Sequence, residues 1–445
     1  MAKKRYVLVG TGVRATNFIE PLAHRFRNHS ELVALCDVSP TRLAYHNEQL
    51  VSALGHPAVP AYAARQFDRM IEELKPDCVI VTSKDSTHHD YIVRALRHGC
   101  DVISEKPMTV DAEKTRLILE TAAQTDRQVQ VTFNLRWSPH RTKVRELIAA
   151  GTIGRVRNVH LEYLINTDHG ADYYRRWHAT MADSGGLLVH KSTHHFDLVN
   201  WWIDAIPEQV FAFGRLDFYG RTNAVARGDG RLAAYARYTG ESEAAHDPFA
   251  LDLRHNEQFA KLYLDAEADS GYVRDRNVFR DGIDIYDNMS VLVRYRGGAQ
   301  LNYSLLSFSP REGMRVSVNG DRGRIEYATF QPTHLWANGD GPAPASASDQ
   351  PGESLHVYPL FQPSYEVKVD KLDGNHDGSD LLLTEQLFSA TPPPDPFQRR
   401  AGHEQAAASV LIGVAANESI RQNKVIDVAD LAPLNPAATR LTELV

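Results

Sequence analysis

Cysteine is scarce in this chain, and no apolar run is long. The 445 residues include three cysteines, Cys36, Cys78 and Cys100, and none lies close to another in sequence. A sparse, odd count favours a reducing compartment over a disulfide scaffold. No apolar run approaches the ~20 residues that cross a bilayer. The apolar run after the basic start MAKKR is also shorter than the ~7–15 residues of a secretory signal. We therefore expect a cytoplasmic protein with no membrane partner.

An excess of positive charge is also missing. The formal net charge is −7 and the sequence pI is near 6.3, whereas nucleic-acid binders carry a basic surface. Hydrophobic residues make up 43% of the chain and charged residues 24%, which is ordinary for a globular protein. The length exceeds that of one ordinary core and indicates two domains. The composition argues against a nucleic-acid partner.

The first part of the chain alternates short apolar runs with amphipathic stretches. The runs RYVLVG (5–10), CVIVTS (78–83) and VQVTFN (129–134) are typical of buried strands. Helical patterns such as FDRMIEELKP separate them. Strict alternation of strand and helix predicts a parallel sheet with helices on both faces. We predict an α/β, doubly wound domain over residues 1–136.

After Trp137 the pattern changes to long alternating runs, such as RVRNVHLEYLI and AQLNYSLLSF, with turn signals between several of them. This pattern predicts a C-terminal α+β domain over residues 137–445 with a large, mostly antiparallel open sheet. We expect that sheet to support a homo-oligomer, a dimer or tetramer. Two stretches, 238–259 and 338–354, are typical of surface insertions. A C-terminal amphipathic helix at about 400–421 is expected to pack back on the first domain.

A dinucleotide fingerprint lies at the start of the chain. The strand YVLVG runs into GTGVRA, in which Gly10 permits a tight turn, Gly12 lets a pyrophosphate approach and Ala15 packs a helix on the strand. The next strand ends in Asp37, which suits the acid that binds ribose hydroxyls. A purely structural turn is the alternative. Asp37 would repel a 2′-phosphate, while Arg42 could stack on adenine or reach a phosphate. NAD is therefore favoured over NADP.

The motif SEKP, residues 104–107, begins a resemblance to a known family. It resembles the EKP motif of the Gfo/Idh/MocA family, which includes glucose–fructose oxidoreductase and inositol dehydrogenase. VTSKDSTHHDYIVRAL resembles the loop after the family's fourth strand, and FNLRW resembles the strand that leaves the nucleotide domain. SGGLLVHKSTHHFDLVNWW resembles the family helix written G-G-G-x-L-x-D-x-G-x-H-x-x-D. The resemblance covers most of the chain to about Tyr327 and returns in the last amphipathic helix.

The resemblance implies an N-terminal Rossmann domain, an NAD(P)-dependent oxidoreductase and a set of site residues. Lys106 matches the lysine that orients the reacting hydroxyl, and His194 matches the proposed general base. His190 stands where many relatives carry aspartate, so it could act as a base or only as a donor. The expected cofactor-binding residues are Gly10, Thr11, Gly12, Val13, Arg14, Asp37, Arg42, Thr82, Ser83, His88, Glu105, Lys106, Asn134 and Arg136. The expected substrate-binding residues are Lys106, Arg136, Tyr163, Trp177, His190, Lys191 and His194.

The segment HKSTHHFD, residues 190–197, concentrates the candidate chemistry. His190 and His194 are spaced i,i+4 and share a face if the segment is helical. That spacing also suits a metal, but no Glu lies between them and no third ligand is evident, so we predict no metal. His195 points elsewhere, and Asp197 could cap the helix or pair with His194. A histidine suits removal of a hydroxyl proton, and Lys106 would stabilise the developing alkoxide.

Three functions remain open. The first is an NAD-dependent dehydrogenase that oxidises a ring or polyol hydroxyl of a sugar, glycoside or sugar derivative. The second is a glycosidase that oxidises its substrate transiently with retained NAD, eliminates the aglycone, adds water and reduces the ketone again. His190 and Lys191 would supply its extra acid or base. The third is a non-catalytic NAD-binding regulator, against which the retained Lys106 and His194 argue. Arginines near the matched motifs could meet an anionic substrate.

Overall fold

The computed structural model of the chain describes residues 3–331, 352–370, 372 and 378–444. Most of the predicted surface insertion at 338–354 lies outside those residues. The strands are β1 (Lys4–Val9), β2 (Ser30–Asp37), β3 (Ala61–Ala63), β4 (Cys78–Val81), β5 (Asp101–Ser104), β6 (Val129–Val131), β7 (Val156–Asn166), β8 (Pro207–Arg215), β9 (Asn288–Tyr295), β10 (Gln300–Ser309), β11 (Gly313–Gly320), β12 (Gly323–Phe330), β13 (Gly352–Pro359), β14 (Tyr365–Glu366), β15 (Ala401–Gly402) and β16 (Ile426–Asp427). The α-helices are α1 (Thr16–Glu20), α2 (Pro40–Ser52), α3 (Phe67–Leu74), α4 (His88–Arg97), α5 (Ala112–Gln124), α6 (Pro139–Ala149), α7 (Thr167–Arg175), α8 (Met181–Ser184), α9 (Leu187–His190), α10 (Thr193–Ile203), α11 (Arg221–Ala226), α12 (Glu257–Phe259), α13 (Glu267–Ser270), α14 (Ser379–Phe388), α15 (His403–Gln422) and α16 (Val428–Leu431).

The first sheet has the order β15-β6-β5-β4-β1-β2-β3. Strands β1 to β6 pair in parallel, and β15 adds an antiparallel edge to β6. All four residues of β4 are buried, as expected for a strand covered on both faces. The strand order reverses between β1 and β4. The loops that leave these two strands therefore open a crevice at the carboxyl edge, where α/β sheets bind ligands. This confirms the predicted parallel α/β fold.

The second sheet has the order β14-β13-β12-β11-β7-β10-β9-β8-β16 and is mostly antiparallel, as predicted. Within this second sheet, the one parallel pair among the described strands is β7 with β10. Buried and exposed residues alternate strictly along β9, so one face packs inward and the other stays open. Phe213 and Leu292 on the open face are 64% and 53% exposed.

The C-terminal helix α15 links the two sheets. It follows directly on β15, the edge strand of the first sheet, and packs on α10 and on β8 of the second sheet. At Gly413 an added Cβ would lie 2.2 Å from the Leu188 carbonyl oxygen, so only glycine lets α9 approach this closely. No helix within the described ranges has both the length and the apolar character needed to cross a bilayer.

The predicted insertion at 238–259 is partly an interior segment rather than a surface one. Phe249 is 8% exposed and Leu253 is fully buried. Leu253 packs with Leu262 and Tyr263 in a small apolar cluster beside the first sheet. The sequence pattern missed this because the apolar residues are few and irregularly spaced.

Candidate active site

A cavity of about 1060 Å³ opens at the carboxyl edge of the first sheet and extends to the helices α9 and α10. Most of the predicted site residues meet here, from the loops of the first sheet and from the helical segment 177–194. Its wall includes Gly10, Gly12, Val13, Arg14, Asp37, Arg42, Thr82, Ser83, His88, Glu105, Lys106, Asn134, Trp177, His190, Lys191 and His194. The structure does not bring Thr11, Arg136 or Tyr163 to this wall.

The glycine-rich turn forms the cofactor end of the cavity. Gly10 has φ +92°, and an added Cβ would lie 2.4 Å from the Ser83 nitrogen, so no larger residue fits. At Gly12 an added Cβ would project into the cavity, 3.6 Å from the Tyr263 hydroxyl. The Asp37 carboxylate closes the turn by accepting the Thr11 N–H at 2.5 Å. A bare backbone beside a buried carboxylate is the donor and acceptor set that a dinucleotide requires.

A segment between α11 and β9 covers this end of the cavity. We call residues 251–276 the covering segment. The Tyr263 hydroxyl accepts the Val13 N–H at 3.1 Å. The Arg42 Nε donates to the Leu262 carbonyl at 2.8 Å, and its guanidinium lies 5.6 Å from the centre of the Tyr263 ring. Arg42 therefore faces the covering segment.

The EKP motif joins the loops around the cofactor end. Glu105 accepts the Arg14 Nε at 2.8 Å, so the fifth strand is tied to the glycine-rich turn. Asn134 donates to Asp380 at 2.8 Å and brings α14 to the same region. Thr82 donates to the Gly10 carbonyl at 2.5 Å. These contacts fix the loops rather than leave the polar groups free for a ligand.

His88 also joins loops. Its Nδ1 lies 2.8 Å from the Pro107 carbonyl oxygen, and its Nε2 lies 3.0 Å from the Ser83 carbonyl oxygen. Burial lowers its pKa. His88 therefore connects the loop after β4 to the EKP turn.

Arg136 has a different place from the one expected. Its side chain is fully buried and forms two hydrogen bonds with Asp197, Nε to Oδ2 at 2.8 Å and a terminal nitrogen to Oδ1 at 2.6 Å. Asp197 thus pairs with Arg136 rather than with His194, the partner the sequence suggested. Tyr163 also lies beneath the cavity, where its hydroxyl donates to Glu312 at 3.2 Å. These contacts connect elements of the interior.

Lys106, His190 and Asp85 form the centre of the site. The Lys106 ammonium donates to the His190 carbonyl at 3.3 Å and so bridges the first sheet and α9. The His190 Nδ1 lies 2.5 Å from Asp85 Oδ2. Burial lowers the pKa of His190 and raises that of Asp85, while the Lys106 charge opposes the latter shift. Burial also lowers the pKa of Lys106. The sequence analysis did not single out Asp85, although Asp85 lies in the segment VTSKDSTHHDYIVRAL that resembles the family loop.

The other histidines differ in their surroundings. His194 lines the cavity at 8% exposure, with its ring 6.0 Å from that of Phe133. His195 faces away from the cavity and hydrogen-bonds the Tyr303 hydroxyl at 2.8 Å. His178, absent from the predictions, stacks on Trp177 and lies 4.2 Å from the His190 ring. The histidine-rich segment therefore splits between cavity and core.

A second polar chain reaches the cavity from α7. The Tyr173 hydroxyl lies 2.9 Å from His169 Nε2, and His169 Nδ1 lies 2.8 Å from Glu312. Lys191 stands nearby, 5.1 Å above the Tyr163 ring, and burial lowers its pKa to about 8. Sequence gave no sign of Glu312, which is distant along the chain. The hydrogen-bonded series Tyr173–His169–Glu312 could carry a proton between Tyr173 and Glu312.

Arg176, Arg276 and Arg280 line the cavity and add positive charge to its wall. Asp172 is shared by Arg175, Arg176 and Arg274 at 3.8, 3.0 and 3.1 Å. Although burial raises the Asp172 pKa, these three arginines bring it below its usual range.

The metal alternative has no geometric support within the described residues, where no group of three His, Cys, Asp or Glu side chains is arranged to hold an ion.

Two family models match the chain. The model described as an oxidoreductase family with an NAD-binding Rossmann fold matches residues 4–133. The model of that family's C-terminal alpha/beta domain matches residues 145–428. Together they cover the strands of both sheets and the residues that line the cavity, except Asn134.

Relatives and solved structures agree with these matches. YteT of Bacillus subtilis, named as an oxidoreductase, is 38% identical over 438 residues, covering 96% of this chain and 98% of its own. An inositol 2-dehydrogenase of Rhizobium meliloti is 30% identical over 183 residues, covering 41% of this chain and 50% of its own. The crystal structure of scyllo-inositol dehydrogenase from Lactobacillus casei, with NAD(H) and scyllo-inositol, has a TM-score of 0.62 at 16% identity. It covers 96% of this chain and all of that one.

Proposed function

Because the chain belongs to the Gfo/Idh/MocA family of NAD-binding oxidoreductases, we propose that it oxidises a ring or polyol hydroxyl of a sugar, glycoside or sugar derivative. The bridge from Lys106 to the His190 carbonyl carries the proposal. It sets one cation between the cofactor end of the cavity and the histidines. NAD, when bound, accepts the hydride.

The protein's own groups then handle the hydroxyl. The Lys106 ammonium holds the substrate oxygen and stabilises negative charge as it develops there. His194 takes the hydroxyl proton as general base. His190 supports it: in the tautomer whose Nδ1–H donates to Asp85 Oδ2, 2.5 Å away, Nε2 is left able to accept a proton. Asp85 is a positioning residue, since it acts through His190. The pair supplies the carboxylate that many relatives carry at position 190.

Replacement of Lys106 tests this proposal. Sugars, polyols and glycosides are screened with NAD by absorbance at 340 nm, and the best substrate is used for the variants. We expect Lys106→Met to lower kcat/KM by about 10²–10³, as loss of one oxyanion donor does, with NAD affinity retained. Lys84→Met is the matched control, because Lys84 lines the same cavity but pairs with Asp183 at 2.6 Å. Equal losses in the two variants would contradict the assignment, as would full activity of His194→Ala.

A glycosidase is the second candidate, and the Asp85–His190 pair favours it. Cleavage by transient oxidation needs an acid or base beyond the one that removes the hydroxyl proton. The pair and the Tyr173–His169–Glu312 chain supply two such groups. The test is release of nitrophenol from a nitrophenyl glycoside that depends on added NAD while absorbance at 340 nm stays flat. Steady NADH formation in step with substrate loss excludes this candidate.

The substrate we propose is anionic. Arg280 lines the cavity and donates to the carbonyls of Tyr174 and Asn277, which leaves its charge uncompensated by these contacts. Burial and the neighbouring Arg276 lower the Arg280 pKa to about 10, so it remains a cation at neutral pH. A guanidinium pairs well with a carboxylate. A sugar acid should therefore be used with higher kcat/KM than the matching neutral sugar, and Arg280→Gln should remove that preference.

The domain division at residue 136 and the homo-oligomer remain proposals. The exposed Phe213 and Leu292 on the open sheet face support self-association, because exposed apolar side chains on one face favour an interface. Mass measurement of the native protein in solution tests this. A monomer at micromolar concentration would contradict it, and Phe213→Glu should weaken an oligomer built on this face.

A further inference from the structure

The carboxylate of Asp269 sits at the N-terminus of α2. Its Oδ2 accepts the Ser39 hydroxyl at 2.5 Å and the Thr41 N–H at 3.1 Å. Ser39 is the N-cap of this helix, and its hydroxyl in turn accepts the Arg42 N–H at 3.1 Å. The first turn of a helix offers N–H groups without helical partners, and its dipole favours negative charge. Asp269 therefore occupies a place suited to an anion.

That place lies beside the predicted ribose end of the cofactor site. Helix α2 directly follows β2, whose last residue is Asp37. In the Rossmann arrangement this acid meets the adenosine ribose, and NADP differs from NAD by a phosphate on the 2′ oxygen of that ribose. The donors at Ser39 and Thr41 come next along the chain. They are the groups that a 2′-phosphate beside Asp37 would require.

Arg42, a cation in the first turn of α2, is also engaged. The Arg42 Nε donates to the Leu262 carbonyl, and its terminal nitrogen lies 3.8 Å from Asp37. The covering segment thus holds both the donors and the guanidinium, through Asp269 and Leu262. Hydrogen bonds from Ser39 and then Thr41 lower the pKa of Asp269, so its carboxylate is charged at neutral pH.

We propose that Asp269 is a specificity-determining residue that excludes NADP by holding the α2 donors with its own carboxylate. Two negative charges, on Asp37 and Asp269, then face a 2′-phosphate. NAD, with a hydroxyl at this position, meets neither the repulsion nor the competition for donors.

Binding measurements without turnover test the proposal. The Kd values of NAD and NADP are determined by calorimetry for the full chain and for Asp269→Ala and Asp269→Asn. Asp265→Asn is the matched control, since Asp265 lies on the same segment and pairs with the exposed Lys261. We expect Asp269→Ala to lower the ratio of Kd for NADP to Kd for NAD by about tenfold or more, through tighter NADP binding. Asp269→Asn should give a smaller fall, because it removes the charge but keeps an acceptor oxygen.

An unchanged ratio in Asp269→Ala, with thermal melting like that of Asp265→Asn, overturns the proposal. If Asp269→Ala loses affinity for both nucleotides, the isosteric variant Asp269→Asn is used as the test instead. An unchanged ratio of the NADP and NAD Kd values in that variant also overturns the proposal. The measurement needs no substrate, so its outcome is independent of the roles proposed for Lys106 and His194.

Discussion

The buried pair of Arg136 and Asp197 makes a sharp prediction about stability. Arg136 is 0% exposed and Asp197 1%, and the two side chains share two hydrogen bonds of 2.8 and 2.6 Å. Asp197→Ala would leave the guanidinium in the interior without its counter-charge. The remaining partners, the Gln405 side chain at 2.9 Å and the Gln398 carbonyl at 3.3 Å, both meet a single nitrogen. The other two nitrogens would therefore lose their partner.

Breaking one side of a buried ion pair costs about 3–5 kcal/mol. With an unfolding entropy of about 2.1 cal/mol/K per residue, a unit of about 300 residues such as the predicted second domain shifts its melting temperature by about 1.5 °C per kcal/mol. The expected loss for Asp197→Ala is therefore about 5–8 °C, measured by circular dichroism during a thermal scan. An apolar replacement of the whole pair, Arg136→Met with Asp197→Leu, should recover most of this loss, since it leaves no buried charge.

The double variant also tests whether Arg136 binds the cofactor or only stabilises the fold. Since Arg136 does not reach the cavity, the folded double variant should bind NAD with a Kd within about threefold of the original, a change below 1 kcal/mol. A large loss of NAD affinity in a well-folded double variant would restore Arg136 as a cofactor ligand. Asp197→Ala melting within 2 °C or so of the original would refute the energetic reasoning itself.

Three further predictions address the site. Asp85→Asn should lower kcat by about 10–100-fold, as loss of a group that orients a histidine does, while KM changes little; an unchanged pH profile of kcat would argue against its role through His190. Burial lowers the pKa of Lys191 to about 8, so its side chain is charged below that pH and neutral above it. The Kd of a carboxylated ligand should therefore rise as the pH increases through about 8. In Lys191→Arg, which stays charged, this rise should vanish. Gly10→Ala places a Cβ within 2.4 Å of the Ser83 nitrogen, at a φ of +92° that favours glycine. We expect this variant to lose at least about 1–3 kcal/mol of stability and to bind NAD more weakly, as measured by calorimetry. Normal NAD binding in this variant would contradict the role of the turn.

The first sheet could be predicted from sequence because its signals are local. Alternating strands and helices, with the glycine turn between Val9 and Val13, predict a parallel sheet with helices on both faces without reference to distant residues; the antiparallel edge strand β15, about 270 residues later, was not predicted. The second sheet followed from the period-two pattern of strands such as β9 and β10. The parallel pairing of β7 with β10 could not be read this way, since it joins segments about 140 residues apart; periodicity fixes a strand's face but not its neighbour.

The site was harder, because its decisive partners are remote. His190 was visible as a departure from the family pattern, but its partner Asp85 lies 105 residues earlier. Arg136 stood beside a matched motif and was taken for a ligand, yet its partner Asp197 lies 61 residues away in the interior. Sequence names the polar residues of a motif. It does not show which of them hydrogen-bond to one another and which are available to bind a ligand.

The edge strand β15 and helix α15 have a consequence for biosynthesis. The first sheet is complete up to β6 at Val131, yet its last strand, at Ala401, is made about 270 residues later. At ~5–20 residues per second, the ribosome needs roughly 15–50 s to supply it. During that interval the nascent nucleotide domain exposes the unpaired edge of β6, and α9 lacks the helix that supports it through Gly413. The active site therefore matures only when synthesis is nearly finished, and until then the unpaired edge of β6 is open to pairing with other chains.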